Sequence, residues 1–172
     1  MTTEDSLIDA AQDGDIEKIK RLLDAGANIN SHNDCALRRA TEGRHTEAVK
    51  LLLENGANVH ANNDYALQWA GHTETVKLLL DNGADIHADD DLALRLAAQY
   101  GHTEIVKLLL ENGADVHAKG DCALRMAADC GDAETVKLLL ENGADIHALD
   151  DYASQWAGHA ETVKLLKEYA EK

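Results

Sequence analysis

The chain contains no proline and no phenylalanine, and its 172 residues include only two tryptophans, four tyrosines and three cysteines. With so little aromatic bulk, the 45% of residues that are hydrophobic must build a core from Leu, Val, Ile and Ala, a composition that favours helices. Cys35, Cys122 and Cys130 are odd in number and form no CxxC pair. That argues against a disulfide framework and a closed thiolate metal site, and fits a reducing compartment. No run approaches the roughly 18 apolar residues of a spanning helix. The N-terminal MTTEDSLIDAAQDGD has neither a basic segment nor an apolar one, so a soluble, intracellular and cytoplasmic protein is expected. Basic side chains are also scarce: residues 1–87 carry 8 against 15 acidic ones, residues 88–172 carry 8 against 17, and the formal charge is −16. Counterion release cannot reward such a surface for approaching phosphate. Nucleic acid and membrane are therefore poor partners, and a protein with a basic surface is a better one.

What the chain has instead is a repeat. ENGANVHA at 54–61, DNGADIHA at 81–88, ENGADVHA at 111–118 and ENGADIHA at 141–148 stand 27, 30 and 30 residues apart, with the variant DAGANINS at 24–31. Six units follow, near 5–33, 34–63, 64–90, 91–120, 121–150 and 151–172, expected to form a single domain over 1–172. Each carries two helical patterns. In the second helix of the fourth unit, Ile105, Val106, Leu108 and Leu109 make one apolar face at period 3.6, with Glu104, Lys107 and Glu111 on the other. Asn112-Gly113 then supplies a left-handed stop, as Gly56, Gly83 and Gly143 do in their units. Asp91, matched by Asp34, Asp64, Asp121 and Asp151, is expected to N-cap the first helix, which buries Leu94, Leu96, Ala97 and Ala98. Such a unit cannot hide its own apolar stripe and must stack on neighbours. Asp9, Asp13 and Asp15 at one end and KLLKEYAEK at the other read as the polar caps of a complete array.

GHTEIVKLLLENGADVHA is very similar to the second half of an ankyrin repeat, and the AA-x-x-GH pattern around Ala97-Ala98 resembles the end of that repeat's first helix. The resemblance runs from residue 5 to about 170. Two departures stand out: LALR at 92–95 replaces the family's TPLH, and the units run 30 residues where the family has about 33. The loss falls in the connecting hairpin, where only DDD at 89–91 or NND at 62–64 remains. This shorter type resembles ankyrin repeats of large amoebal viruses. The expected fold is all-α, an ankyrin-type solenoid of helix-turn-helix repeats with shortened hairpin turns.

The units containing Trp69 and Trp156 are shorter still, keeping AGH where others have AAQYGH. Three helical residues rotate by about 300°, nearly a full turn, so the following helix enters with its apolar face preserved. Cys35 and Cys122, Tyr65 and Tyr152, and Trp69 and Trp156 are each 87 residues apart, as after duplication of a three-unit block. Each block then holds one first helix a turn short, which leaves a notch. Trp69 and Trp156 either fill that volume as core or stand exposed as partner anchors.

Equivalent histidines in stacked units lie roughly 8–10 Å apart, too far to share an ion bound at about 2 Å. The ladders His60, His87, His117, His147 and His45, His72, His102, His159 are therefore expected to hydrogen-bond loops, with no metal and no cofactor. Arg38, Arg95 and Arg125, with Gln68 and Gln155, either bridge neighbouring units or contact a partner. Asp89, Asp90, Asp91, Asp150 and Asp151 gather acid at the turns, as a solvated rim or as steering charge. No glycine-rich phosphate loop and no nucleophile–base pair departs from the repeat pattern, so an enzyme is not expected. The resemblance implies a protein–protein interaction module presenting a rigid concave surface. Its candidate contacts are Tyr65, Trp69, Leu92, Arg95, Arg125, Tyr152, Trp156, Asp89 and Asp90. The alternative is a structural or designed scaffold without a natural partner. A monomer is expected, with weak self-association through the notches as the other outcome.

Overall fold

A computed structural model describes residues 2–171, apart from the side chains of residues 149, 150, 151 and 156. Among the described residues there are twelve helices and no strand. They are α1 (Thr3–Asp13), α2 (Ile16–Asp24), α3 (Ser31–Glu42), α4 (Thr46–Glu54), α5 (Ala61–Gln68), α6 (Thr73–Asp81), α7 (Ala88–Gln99), α8 (Thr103–Glu111), α9 (Ala118–Cys130), α10 (Ala133–Glu141), α11 (Ala148–Trp156) and α12 (Ala160–Ala170). The expected all-α class is therefore the observed one. The chain divides into two compact units, Met1–Asp85 and Ile86–Lys172, each holding three helix pairs. In the first, α1, α3 and α5 pack in one row and α2, α4 and α6 in another. In the second, α7, α9 and α11 form one row and α8, α10 and α12 the other.

One large aliphatic per second helix carries the core: Ile19, Leu52, Leu79, Leu109, Leu139 and Leu166 are all buried. Each contributes about 1.5–3 kcal/mol by leaving water. Facing them, Ala10, Ala40, Ala97 and Ala127 are buried on the first helices, where a small side chain lets the rows approach. Leu94, Ala97 and Ala98 are buried as expected, but Leu96 is only half-buried and Ala93 takes the inward position instead. The second helices stop as expected. Gly113 adopts φ 95°, its N–H donating to the Leu110 carbonyl, while the Ala114 N–H donates to Leu109.

The links between units are unusual. In place of a hairpin, three consecutive residues take left-handed backbone angles: His32-Asn33-Asp34, Asn62-Asn63-Asp64, Asp89-Asp90-Asp91 and Lys119-Gly120-Asp121, with φ from 52° to 66°. An ordinary residue pays about 1–2 kcal/mol for that conformation, and Asn, Asp and Gly pay least. Two sets of bonds hold the turn. The turn falls within the first residues of α7, and from farther along it Arg95 Nε and Nη2 donate to the carbonyls of Asp90 and Asp89, at 3.1 and 2.7 Å. Arg38, Arg125 and Gln68 do the same to their own turns. Of the two readings of these side chains, the bonds fit the bridging one: each clamps the turn that links its repeat to the one before.

The second set corrects the assignment of the aspartates as N-caps. Asp34, Asp64, Asp91 and Asp121 are buried and cap no helix; Asp151 lies outside the described side chains. Their carboxylates instead accept the backbone N–H of Asn58, Asp85, Asp115 and Asp145, beyond the second helix of the same repeat, at 2.7–2.8 Å. His60, His87 and His117 approach the same carboxylates through Nδ1 at 3.1 Å. An ionised carboxylate only accepts, so the proton sits on Nδ1. This is the loop-bonding role the ladder was expected to play.

Candidate functional site

The row of first helices with its turns brings most of the candidate residues to one side of each unit. In the first unit α5 ends at Gln68, a turn earlier than α3 or α7 relative to its start, and Trp69 falls at the residue that ends the helix. The indole is 42% exposed. The reading of Trp69 as core filling is thus corrected: the helix stops before the side chain can turn inward. Trp69 stacks instead on Tyr65, with ring centroids 5.9 Å apart. The Arg38 guanidinium also lies over the Tyr65 ring, 5.4 Å from its centroid, and the phenol donates to Glu42 at 2.7 Å. That bond to a carboxylate, aided by burial, raises the Tyr65 pKa above its ordinary value. Glu42 also pairs with Arg39 at 2.9 Å, which raises the guanidinium pKa.

In the second unit Leu92 and Arg95 are half-buried, and Asp89 and Asp90 are exposed on the left-handed turn. Asp90 meets Lys119 of the next turn at 2.7 Å, and that bond holds its carboxyl below the ordinary value. Asp34, in the first unit, is shifted the other way because burial disfavours its charge, opposed by the Asn58 amide. Arg125 lies over Tyr152, 5.3 Å from the ring centroid. Beside this pair is a cavity of about 230 Å³ lined by Cys122, Arg125, Met126, Asp129, Cys130, Tyr152 and Gln99. Trp156, Asp150 and Asp151, the remaining candidates, lie outside the described side chains.

Sequence reasoning did not single out Tyr100, which is 55% exposed near His102, or Glu42, which orders Tyr65. Glu42 had no signal, because its partner is 23 positions away. Among the described residues no group of three or more His, Cys, Asp or Glu side chains is placed to hold a metal ion, and no helix is long and apolar enough to cross a membrane.

Paired helices in two rows, joined by short turns and repeated through the chain, define a helical repeat protein. A family model described as ankyrin repeats (3 copies) matches residues 7–90 and again 65–150, and the chain belongs to the ankyrin repeat family. Among solved structures it is similar to the human ASB11 ankyrin repeat domain, at 29% identity and a TM-score of 0.84, over 95% of this chain and 82% of that one. No curated protein matches it. Ankyrin repeats are generally protein–protein interaction modules, and typically non-enzymatic ones.

Proposed function

We propose that this chain is a cytoplasmic protein-binding module whose first helices and left-handed turns hold a partner with a basic surface. One observation carries the reading. Trp69, a large apolar side chain of the kind that anchors interfaces, stands exposed with its orientation fixed by Tyr65. A ring held in place loses little freedom on binding, so more of its burial is realised as affinity. Leu92, Arg95, Arg125, Tyr152 and Trp156 are the further proposed contacts, Asp89 and Asp90 the proposed steering charges. The charge of −16 favours a cationic partner and disfavours nucleic acid and anionic membrane. The module acts as a monomer, and a scaffold without a partner is the competing reading.

The test is affinity capture from lysate with the native chain beside a Trp69→Ala, Leu92→Ala variant of unchanged helicity. A protein retained by the first and lost by the second supports the module. No protein retained by the native chain favours the scaffold. Reversal of Asp89 and Asp90 to Lys, leaving buried Asp91 intact, is expected to slow association with that partner at low salt while dissociation stays the same.

A further inference from the structure

The duplication placed two copies of one notch in the chain, and they have diverged. At the constant spacing of 87, Cys35, Arg38 and Tyr65 recur as Cys122, Arg125 and Tyr152. Arg39, Glu42 and Gly43 instead become Met126, Asp129 and Cys130. In the first unit Glu42 ties Arg39 to Tyr65 by bonds of 2.9 and 2.7 Å across the end of α3. Met126 offers no charge to rebuild that ion pair. Its place is taken by the cavity of about 230 Å³, with buried Cys122 and half-buried Met126 as an apolar, polarizable wall and exposed Asp129 and Cys130 at the mouth. The Cys130 thiol donates to the Gln99 carbonyl at 3.0 Å, which fixes it at the rim.

Resting on the protein-binding reading above, we infer that this second notch is the specificity pocket, and that it takes one flexible apolar side chain, without a branch at Cβ, of a basic peptide segment. The volume is below the roughly 300–1,000 Å³ of small-molecule sites, and suits a single side chain. A thioether and a thiol adapt to Met or Leu better than a branched wall would. The occupant's flank is set by charge. Asp129 at the mouth, in a half of the chain holding 17 acidic and 8 basic side chains, selects a neighbouring Lys or Arg. The Arg125 guanidinium is held on its own turn, its Nε and Nη2 donating to the Gly120 and Lys119 carbonyls and its face lying over Tyr152.

A random peptide library displayed on phage, selected on the native chain, tests this. The selected peptides are then measured against a Met126→Arg, Asp129→Glu variant. That double change installs the pair the first unit already folds with, so it is expected to keep the native melting temperature. Enriched peptides should share Met or Leu beside Lys or Arg and bind the variant at least about tenfold more weakly. At saturation they should slow iodoacetamide alkylation of Cys130, the one exposed thiol among Cys35, Cys122 and Cys130. Peptides that bind both proteins equally and leave Cys130 reactive overturn the notch while leaving the binding module standing. Enrichment of acidic peptides, or of none over the unselected library, also overturns it. Cys130 protection that rises with protein concentration alone assigns the notch to a second copy and refutes a peptide occupant.

Discussion

The buried carboxylate of Asp91 accepts the backbone amide of Asp115, 24 positions later, at 2.7 Å, while its own residue sits in the left-handed region at φ 57°. One side chain thus ends a turn and fastens it to the loop that closes the same repeat. Asp91→Ala should lose the charged hydrogen bond and also pay for a left-handed alanine, together about 2–4 kcal/mol. Asp91→Asn, which keeps an acceptor and tolerates the conformation, should lose less than half as much. Urea unfolding of the two variants measures the difference, and equal losses would remove the staple from the account.

Thr162 is 0% exposed and its hydroxyl has no hydrogen-bond partner. The other two threonines at that helix position are paired with the first residue of the preceding second helix, Thr75 with Thr46 and Thr135 with Thr103, each at 2.8 Å. For Thr162 the matching residue is Ala133. Ala133→Thr should therefore raise stability by about 0.5–1.5 kcal/mol, the net worth of one hydrogen bond. An unchanged denaturation midpoint would mean that the hydroxyl is satisfied in another way.

Leu109, toward the end of α8, is 1% exposed. Leu109→Ala should cost about 2–5 kcal/mol through the cavity it leaves. Leu108→Ala, one residue away and half-buried, should cost clearly less, and thermal unfolding of both variants checks the facing of the helix.

Asp34 and Asp90 should respond to pH in opposite senses. Burial raises the Asp34 pKa above the ordinary 3.8. Its contribution is therefore fully present below that value and is lost as pH rises through the folded pKa. Lys119 lowers the Asp90 pKa from 3.8. That contribution is present above 3.8 and is lost as pH falls through the folded value. The stability of the native chain minus that of Asp34→Asn should decline with rising pH, and the same difference for Asp90→Asn should grow. Chemical denaturation between about pH 3 and 6 reads both slopes, and slopes of one sign would contradict the assignment.

Much of this was legible in the sequence because it depends on period. The helix pairs, the glycine stops, the shortened α5 and the inward Leu109 all follow from spacing. The left-handed turns were written there too, as Asn, Asp or Gly in every position of NND and DDD and in two of the three of KGD. They passed as a polar link because three such residues in a row are rare. Trp69 was left between core and surface for a different reason. Side-chain volume suggested a filler, but where the helix stops decides which way an indole points, and that depends on one turn's geometry. Arg95 was left between a bridge to its neighbour and a partner contact because its reach allows both. The carbonyls it reaches are those of Asp89 and Asp90, in the link to the preceding repeat.

The central claim is that the face made by first helices and turns holds the partner. Hydrogen exchange of the chain, free and saturated with its captured partner, tests it most directly. Added protection is expected over residues 62–69, 89–96 and 119–130, with α4, α6, α8 and α10 unchanged. Protection concentrated on those second helices, with the turns exchanging as in the free chain, would contradict it.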